Sequence, residues 1–323
     1  MNHALAAGDT AEAVDLIARH WHGYVHAGRV RRVRGWLGSL TDDQIAAYPL
    51  AAHCGAWAAA LSGEPDQVHR WLPVIEAGHH EGPLPDGLQS LDSSSALLRG
   101  VYGFHGLRVM RESARRAAEL ENDPGSAWYT PARATLGFSL YLSGEFPEAA
   151  AALEEAVVSP ASRTLIGVLA FSVLSLVMLD QGQLPRAQEL ADTAIDLASH
   201  GELRDMPQCS LAYAVAGAVH AAHGLLEEGR TDLRHALRCR RAVPDISPWA
   251  TMEATLLLVR VELDLGDVAA ASDLISEEND ALALFADGTR FLQVRLARLR
   301  RRLAALQTAN RADSLTEREL AVL

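Results

Sequence analysis

The chain has 323 residues, 49% of them hydrophobic, with a formal net charge of −12. That is apolar surface enough for a large core, and the acidic balance works against this piece gripping a phosphate backbone by itself. Three scattered cysteines, Cys54, Cys209 and Cys239, exclude a disulfide framework and a zinc spacing, and fit a reducing compartment. The first residues lack the basic region and apolar run of a signal peptide. The most apolar stretch, Leu165 to Leu179, is too short to span a bilayer and carries Ser172 and Ser175. A soluble, cytoplasmic protein without a membrane partner is therefore expected.

Along the chain one phrase recurs: a Gly, often a charged or polar residue, then apolar positions at helical spacing. It stands at Gly8-Asp9, Gly28-Arg29, Gly63-Glu64, Gly144-Glu145, Gly182-Gln183, Gly224-Leu225 and Gly266-Asp267. The gap between Gly63 and Gly144 is a double step. Its midpoint falls at His105-Gly106, where Leu107, Met110, Ala114 and Ala117 continue the pattern. The unit is thus about forty residues long, the size of a helical hairpin. Gly adopts the left-handed conformation that ends the first helix, and the second then carries an apolar stripe. The clearest stripes are Phe146, Ala149, Leu153, Ala156 and Leu184, Ala187, Ala191, Ala194. Pro and Gly cluster at Gly82-Pro83-Leu84-Pro85-Asp86-Gly87, at Asp123-Pro124-Gly125, and around Pro244 and Pro248, which read as loops between repeats. No alternating strand pattern or Asn-Gly hairpin is present. An all-α solenoid of about seven hairpins is expected over residues 1–306, because no single hairpin can bury its stripe alone.

The tail, Ser314-Leu315-Thr316-Glu317-Arg318-Glu319-Leu320-Ala321-Val322-Leu323, carries capping-box spacing between Thr316 and Glu319. A linker over residues 307–313 and the first turns of a new domain, cut short, are the expectation for 307–323. These residues resemble the opening of the LuxR-type helix-turn-helix domain. Upstream, Gly28-Arg29-Val30, Trp36-Leu37 and Ala56-Trp57-Ala58 resemble the tetratricopeptide-like region of the large MalT-like LuxR regulators. The resemblance implies a tetratricopeptide-like superhelix that senses a signal, with an ATPase module before it and a DNA-binding domain after it. DNA contact would then come only through that following domain. The chain itself carries no phosphate-binding Gly-x-x-x-x-Gly-Lys-Ser/Thr loop.

No catalytic signature is found, neither Gly-x-Ser-x-Gly nor His-Glu-x-x-His nor Cys-x-x-Cys, so a binding module and not an enzyme is expected, with no metal or cofactor. The pairs His22/His26 and His220/His223, and His79-His80 in a loop, read as surface histidines. The run Arg290, Arg295, Arg298, Arg300, Arg301, Arg302 reads as a solvated helix face. In a tetratricopeptide superhelix the first helix of each pair lines the concave surface. Aligned on the Gly anchors, that surface receives His53, Trp57, Arg99, Tyr102, Phe138, Tyr141, Leu169, Leu176 and Leu179, with Asp180, Glu253 and Arg260 as sparse charges. Such a face suits a small apolar effector or an amphipathic helix from a partner. The competing expectation is a constitutive protein–protein scaffold without a small ligand, a second copy of this chain being one candidate partner.

Overall fold

The computed structural model describes residues 9–320 apart from 104, 164, 200–205, 241–247 and 285–286, with side chains described except at 26, 166, 278–284 and 311–320. Among the described residues there is no strand. The described residues form sixteen successive α-helices: α1 (Thr10–His26), α2 (Val30–Leu37), α3 (Asp42–Ala47), α4 (Pro49–Ser62), α5 (Pro65–Ala77), α6 (Leu91–Tyr102), α7 (Leu107–Leu120), α8 (Tyr129–Ser143), α9 (Phe146–Val158), α10 (Leu165–Asp180), α11 (Leu184–Ala198), α12 (Ser210–Ala222), α13 (Leu226–Arg240), α14 (Pro248–Leu265), α15 (Val268–Leu284) and α16 (Arg290–Leu320). Short 3₁₀ turns stand at Pro160–Ser162 and Pro207–Cys209. The helices pair as hairpins α1/α2, α4/α5, α6/α7, α8/α9, α10/α11, α12/α13 and α14/α15, each first helix also packing on the next pair.

The two helices of a pair differ in burial, and the sequence explains why. First helices such as α4 and α8 are buried nearly all round, because neighbours cover them on both sides. Second helices bury one stripe; on α7 it is Leu107, Met110, Ala114, Ala117 and Ala118. Between them the chain reverses on the anchoring glycines, with φ of 80° at Gly63 and at Gly144, 72° at Gly182, 83° at Gly224 and 78° at Gly266, a region that L side chains occupy only at a cost.

The stack also curls back on itself. The Trp249 indole on α14 donates to the Gly103 carbonyl at the end of α6 (3.2 Å), and Arg108 on α7 pairs with Asp287 ahead of α16 (2.7 Å). The seventh hairpin thus meets the third. Gly103 has φ +61°, and a Cβ there would stand 2.1 Å from the Trp249 nitrogen, in a ring that is 0% exposed. Gly103→Ala is expected to cost about 1–3 kcal/mol through overpacking and left-handed strain, read as a lower midpoint in urea; an unchanged midpoint would show that the closure contributes little.

The tail differs from expectation. Residues 307–313 do not interrupt the chain: helix α16 runs from Arg290 to Leu320. No Gly or Pro lies between those bounds, and Ala, Leu, Gln and Arg carry the helix through. The capping-box spacing at Thr316 therefore starts no new helix here.

Candidate functional site: an indole-walled cavity

First helices from successive hairpins converge on one partly open cavity of about 120 Å³. Its wall is mainly aromatic and aliphatic. Trp21 comes from α1, Trp57 from α4, Tyr102 from α6, Trp128 from the cap of α8, Phe138 from α8, and Leu165 and Leu169 from the start of α10. The three indoles form a triangle with centroid separations of 5.9 Å (Trp21–Trp57), 5.6 Å (Trp57–Trp128) and 6.2 Å (Trp21–Trp128). His22 stacks on Trp128 at 4.4 Å. Such tilted aromatic contacts are worth about 0.5–1.5 kcal/mol each beyond simple burial.

A buried indole needs a partner for its N–H, and one loop and its surroundings supply all three. Trp21 Nε1 donates to Asp86 Oδ2 (2.9 Å), Trp128 Nε1 to the Asp86 carbonyl (3.0 Å), and Trp57 Nε1 to Ser94 Oγ (3.3 Å). His53 joins the two anchors, with Nε2 at 2.7 Å from Asp86 Oδ2 and Nδ1 at 2.6 Å from Ser94 Oγ. Because Asp86 can only accept, the arrangement puts a proton on Nε2, whereas the Ser94 hydroxyl has capacity either to donate to Nδ1 or to accept from it. Burial by itself would raise the Asp86 carboxyl. The charge of His53 and the hydrogen bonds from His53, the Leu88 amide and Trp21 outweigh burial, and hold it below the ordinary range.

Ser94, His53 and Asp86 have the connectivity of a nucleophile–base–acid chain. The Ser94 hydroxyl is 0% exposed, however, and Ser94 is not part of the cavity wall. The chain holds the three indoles in place and offers no hydroxyl to a substrate.

Of the residues assigned to the concave surface from sequence, Trp57, Tyr102, Phe138 and Leu169 line the cavity. His53 lies behind the wall. Arg99 turns outward to Glu76 on α5 (2.7 Å) and to His105 (3.3 Å). Tyr141, one turn past Phe138, leaves the cavity and donates to buried Glu253 (2.9 Å). Leu176 is core and Leu179 packs against it; a helix rises 1.5 Å per residue, which puts Leu179 about 15 Å beyond Leu169. Arg295 is likewise no solvated residue: it forms a two-pronged pair with Glu253 (2.5 and 2.8 Å). Nearby, burial raises the Asp180 carboxyl, against the charge of Arg295.

Several wall residues went unassigned in the sequence: Trp21, Trp128, Thr135, Gln208 and Arg240. Arg240, the last residue of α13, is 6% exposed. Its Nε donates to Thr251 Oγ1 (3.1 Å), and burial lowers its guanidinium to about 10. Among the histidines, His22 lies in the wall and His220 bonds to Asp232 (2.8 Å). Among the described residues no three His, Cys, Asp or Glu side chains form a metal-binding group.

Residues 130–155, the α8/α9 hairpin that carries Phe138, match the tetratricopeptide repeat. Over 273 residues, 83% of this chain, the sequence is 21% identical to the HTH-type transcriptional regulator MalT of Serratia proteamaculans (strain 568); the chain spans 30% of that protein's length. Among solved structures, a Rap protein complexed with Competence and Sporulation Factor superposes with a TM-score of 0.57 at 12% identity, over 95% of this chain and 90% of that one. A chain of the APC/C hetero-tetramer Cut9–Hcn1 gives a TM-score of 0.49 at 15% identity, over 92% and 52%. The paired helices, the left-handed glycine turns, the repeat match over residues 130–155 and the superposition on the Rap protein together make the fold an all-α, tetratricopeptide-like solenoid.

Proposed function

We propose that this chain is the signal-sensing part of a LuxR-type transcription regulator, and that a small, mainly apolar effector occupies the indole-walled cavity. The observation that carries the reading is the cavity itself: three indoles, Tyr102 and Phe138 face it, with the three indole N–H groups fixed from behind. Preformed apolar walls with few polar groups are the usual form of a small-molecule site. The similarity to a transcriptional regulator supports the regulatory half. A domain following residue 320 would be the element that reads DNA, with α16 leading into it.

Binding is transmitted only if it favours one arrangement of the repeats. Phe138 in the wall and Tyr141 share α8, and Tyr141 and Arg295 share Glu253, so the cavity and α16 are joined by two side-chain contacts. Titration with the neutral probe 4-phenylbutanol, followed by calorimetry and tryptophan emission, tests the site. Phe138→Ala is expected to weaken binding roughly tenfold, the value of one aromatic contact with its buried area. Unchanged affinity would remove the cavity as the site, and absence of any binding favours a constitutive scaffold. Reading the gene past residue 323 tests the regulator half: a helix-turn-helix there supports it, and a stop codon removes it.

A further inference from the structure

The outward face of α16 carries charge of one sign in a chain dominated by the other. Between Arg290 and Asn310 the helix has six Arg and no Asp or Glu, whereas the whole chain has a net charge of −12. Its inward face is docked: Leu292, Leu296 and Leu303 are buried, and Arg295 is fixed on Glu253. Arg290, Arg298, Arg300, Arg301 and Arg302 are exposed. Arg302 pairs with Asp264 (2.6 Å), and Arg298 shares the field of Asp180. Arg290, Arg300 and Arg301 form no ion pair with any described residue. At about 100° per residue, Arg290, Arg298 and Arg301 fall within about 80° of one another and span about 16 Å along the axis.

A solvated helix face ordinarily mixes both signs, which pair three or four residues apart. Here Arg298 stands three residues from Arg301 and four from Arg302, a like-charge spacing that costs stability until an anion lies against it. Between these arginines the face offers Val294, Ala297 and Ala305 and no aromatic side chain, so it lacks the apolar centre of a protein interface. Contact with a phosphate backbone needs no such centre, because it is made by arginine forks and driven by charge. We propose that this face of α16 lies along the phosphate backbone of duplex DNA and adds sequence-independent contacts beside a domain that reads the bases. The negative charge elsewhere on the chain does not forbid this, since exposed charges more than about 10 Å away are largely screened at ordinary ionic strength. This inference rests on the regulator reading, in which a DNA-reading domain follows α16, and adds a second contact surface to it.

The test is binding of a mixed-sequence duplex of about 20 base pairs to the whole chain, followed by fluorescence anisotropy from about 25 to 200 mM NaCl. Three neutralised phosphates predict a slope of about −3 for log affinity against log salt. Arg298→Gln and Arg301→Gln should each reduce the slope by about one and weaken binding to any duplex sequence alike, with the thermal melt unchanged. Arg186→Gln, which removes an exposed arginine of α11, should leave the slope as it is. Absence of binding at the lowest salt overturns the proposal, and so does an equal loss in Arg186→Gln. Poly-L-glutamate competing as well as the duplex also overturns it, and assigns the face to an acidic protein. None of these results touches the regulator reading, which stands if the gene past residue 323 encodes a helix-turn-helix. A stop codon there removes that reading, whereas a salt slope that depends on Arg298 and Arg301 still supports the phosphate-binding face.

Discussion

Replacing Asp86 by Asn is expected to lower the free energy of unfolding by about 3–5 kcal/mol, the range for breaking a buried charge pair from one side. The Asp86 side chain is 1% exposed, and three donors converge on its carboxylate: His53 Nε2 and Trp21 Nε1 on Oδ2, and the Leu88 amide on Oδ1. A side-chain amide has one oxygen, so whichever way the asparagine turned, at least one buried donor would face an NH2 group. The loss reaches the cavity, because Trp21 is released directly and Trp128 and Trp57 through the backbone and His53–Ser94. Urea melts should show the lower midpoint, and native tryptophan emission should shift red.

The pH dependence has a definite sign. A carboxyl held below its ordinary value in the folded state adds stability at pH above its unfolded value, and that stability is lost as pH falls toward the folded value. The Asp86 contribution is therefore full at neutral pH and fades below about pH 4, the ordinary Asp range. Glu121 and Asp180 work the other way: burial raises both, so their cost at neutral pH is relieved on acidification. The gap between the unmodified chain and Asp86→Asn should accordingly narrow with falling pH. A gap independent of pH would show that the side chain's shape, and not its charge, holds the loop.

Local features of the fold were legible because they depend on local chemistry. A glycine required at positive φ and an apolar stripe every three or four residues are properties of a short window, so the turns at Gly63, Gly144, Gly182, Gly224 and Gly266 and the buried faces of α7, α9 and α11 could be read directly. The cavity was only half legible. Trp57, Tyr102 and Phe138 sit on first helices at the repeat spacing, and so does Trp21 on α1, which went unassigned, whereas Trp128 enters from a helix cap. Asp86 lies in a Pro- and Gly-rich loop, where a carboxylate is ordinarily solvated. Its burial is decided by Trp21 and His53, 65 and 33 residues away. The closure of Trp249 on Gly103, across 146 residues, likewise leaves no mark in any window. At the tail the helix carries on through the capping-box spacing, with no Gly or Pro to stop it.

Arg295→Met should produce a comparable loss, about 3–5 kcal/mol, but a localised one. Glu253 on α14 is 0% exposed and accepts from both terminal nitrogens of Arg295 and from the Tyr141 hydroxyl. Burial on its own would lower the Arg295 guanidinium; the charge of Glu253 overrides it and holds the group further toward its charged form. Without Arg295, a buried carboxylate keeps only one donor, and the cheapest response is to take up a proton. The variant should therefore recover part of its loss as pH falls, since a carboxyl raised in the folded state costs stability at neutral pH and ceases to do so once protonated. What remains on α16 is the Arg302–Asp264 pair, about two-fifths exposed on the arginine side, which contributes little, Phe291 packed against Phe146 and Gly144, and the buried leucines Leu292, Leu296 and Leu303. Amide exchange should quicken in the first turns of α16, by about a hundredfold or more for such a loss, while α4 and α5 keep their protection. Equal quickening throughout would make Arg295 a member of one global core. The localised outcome would make Glu253 the joint at which the C-terminal helix is held or released, three residues along α8 from the ring of Phe138 that faces the cavity.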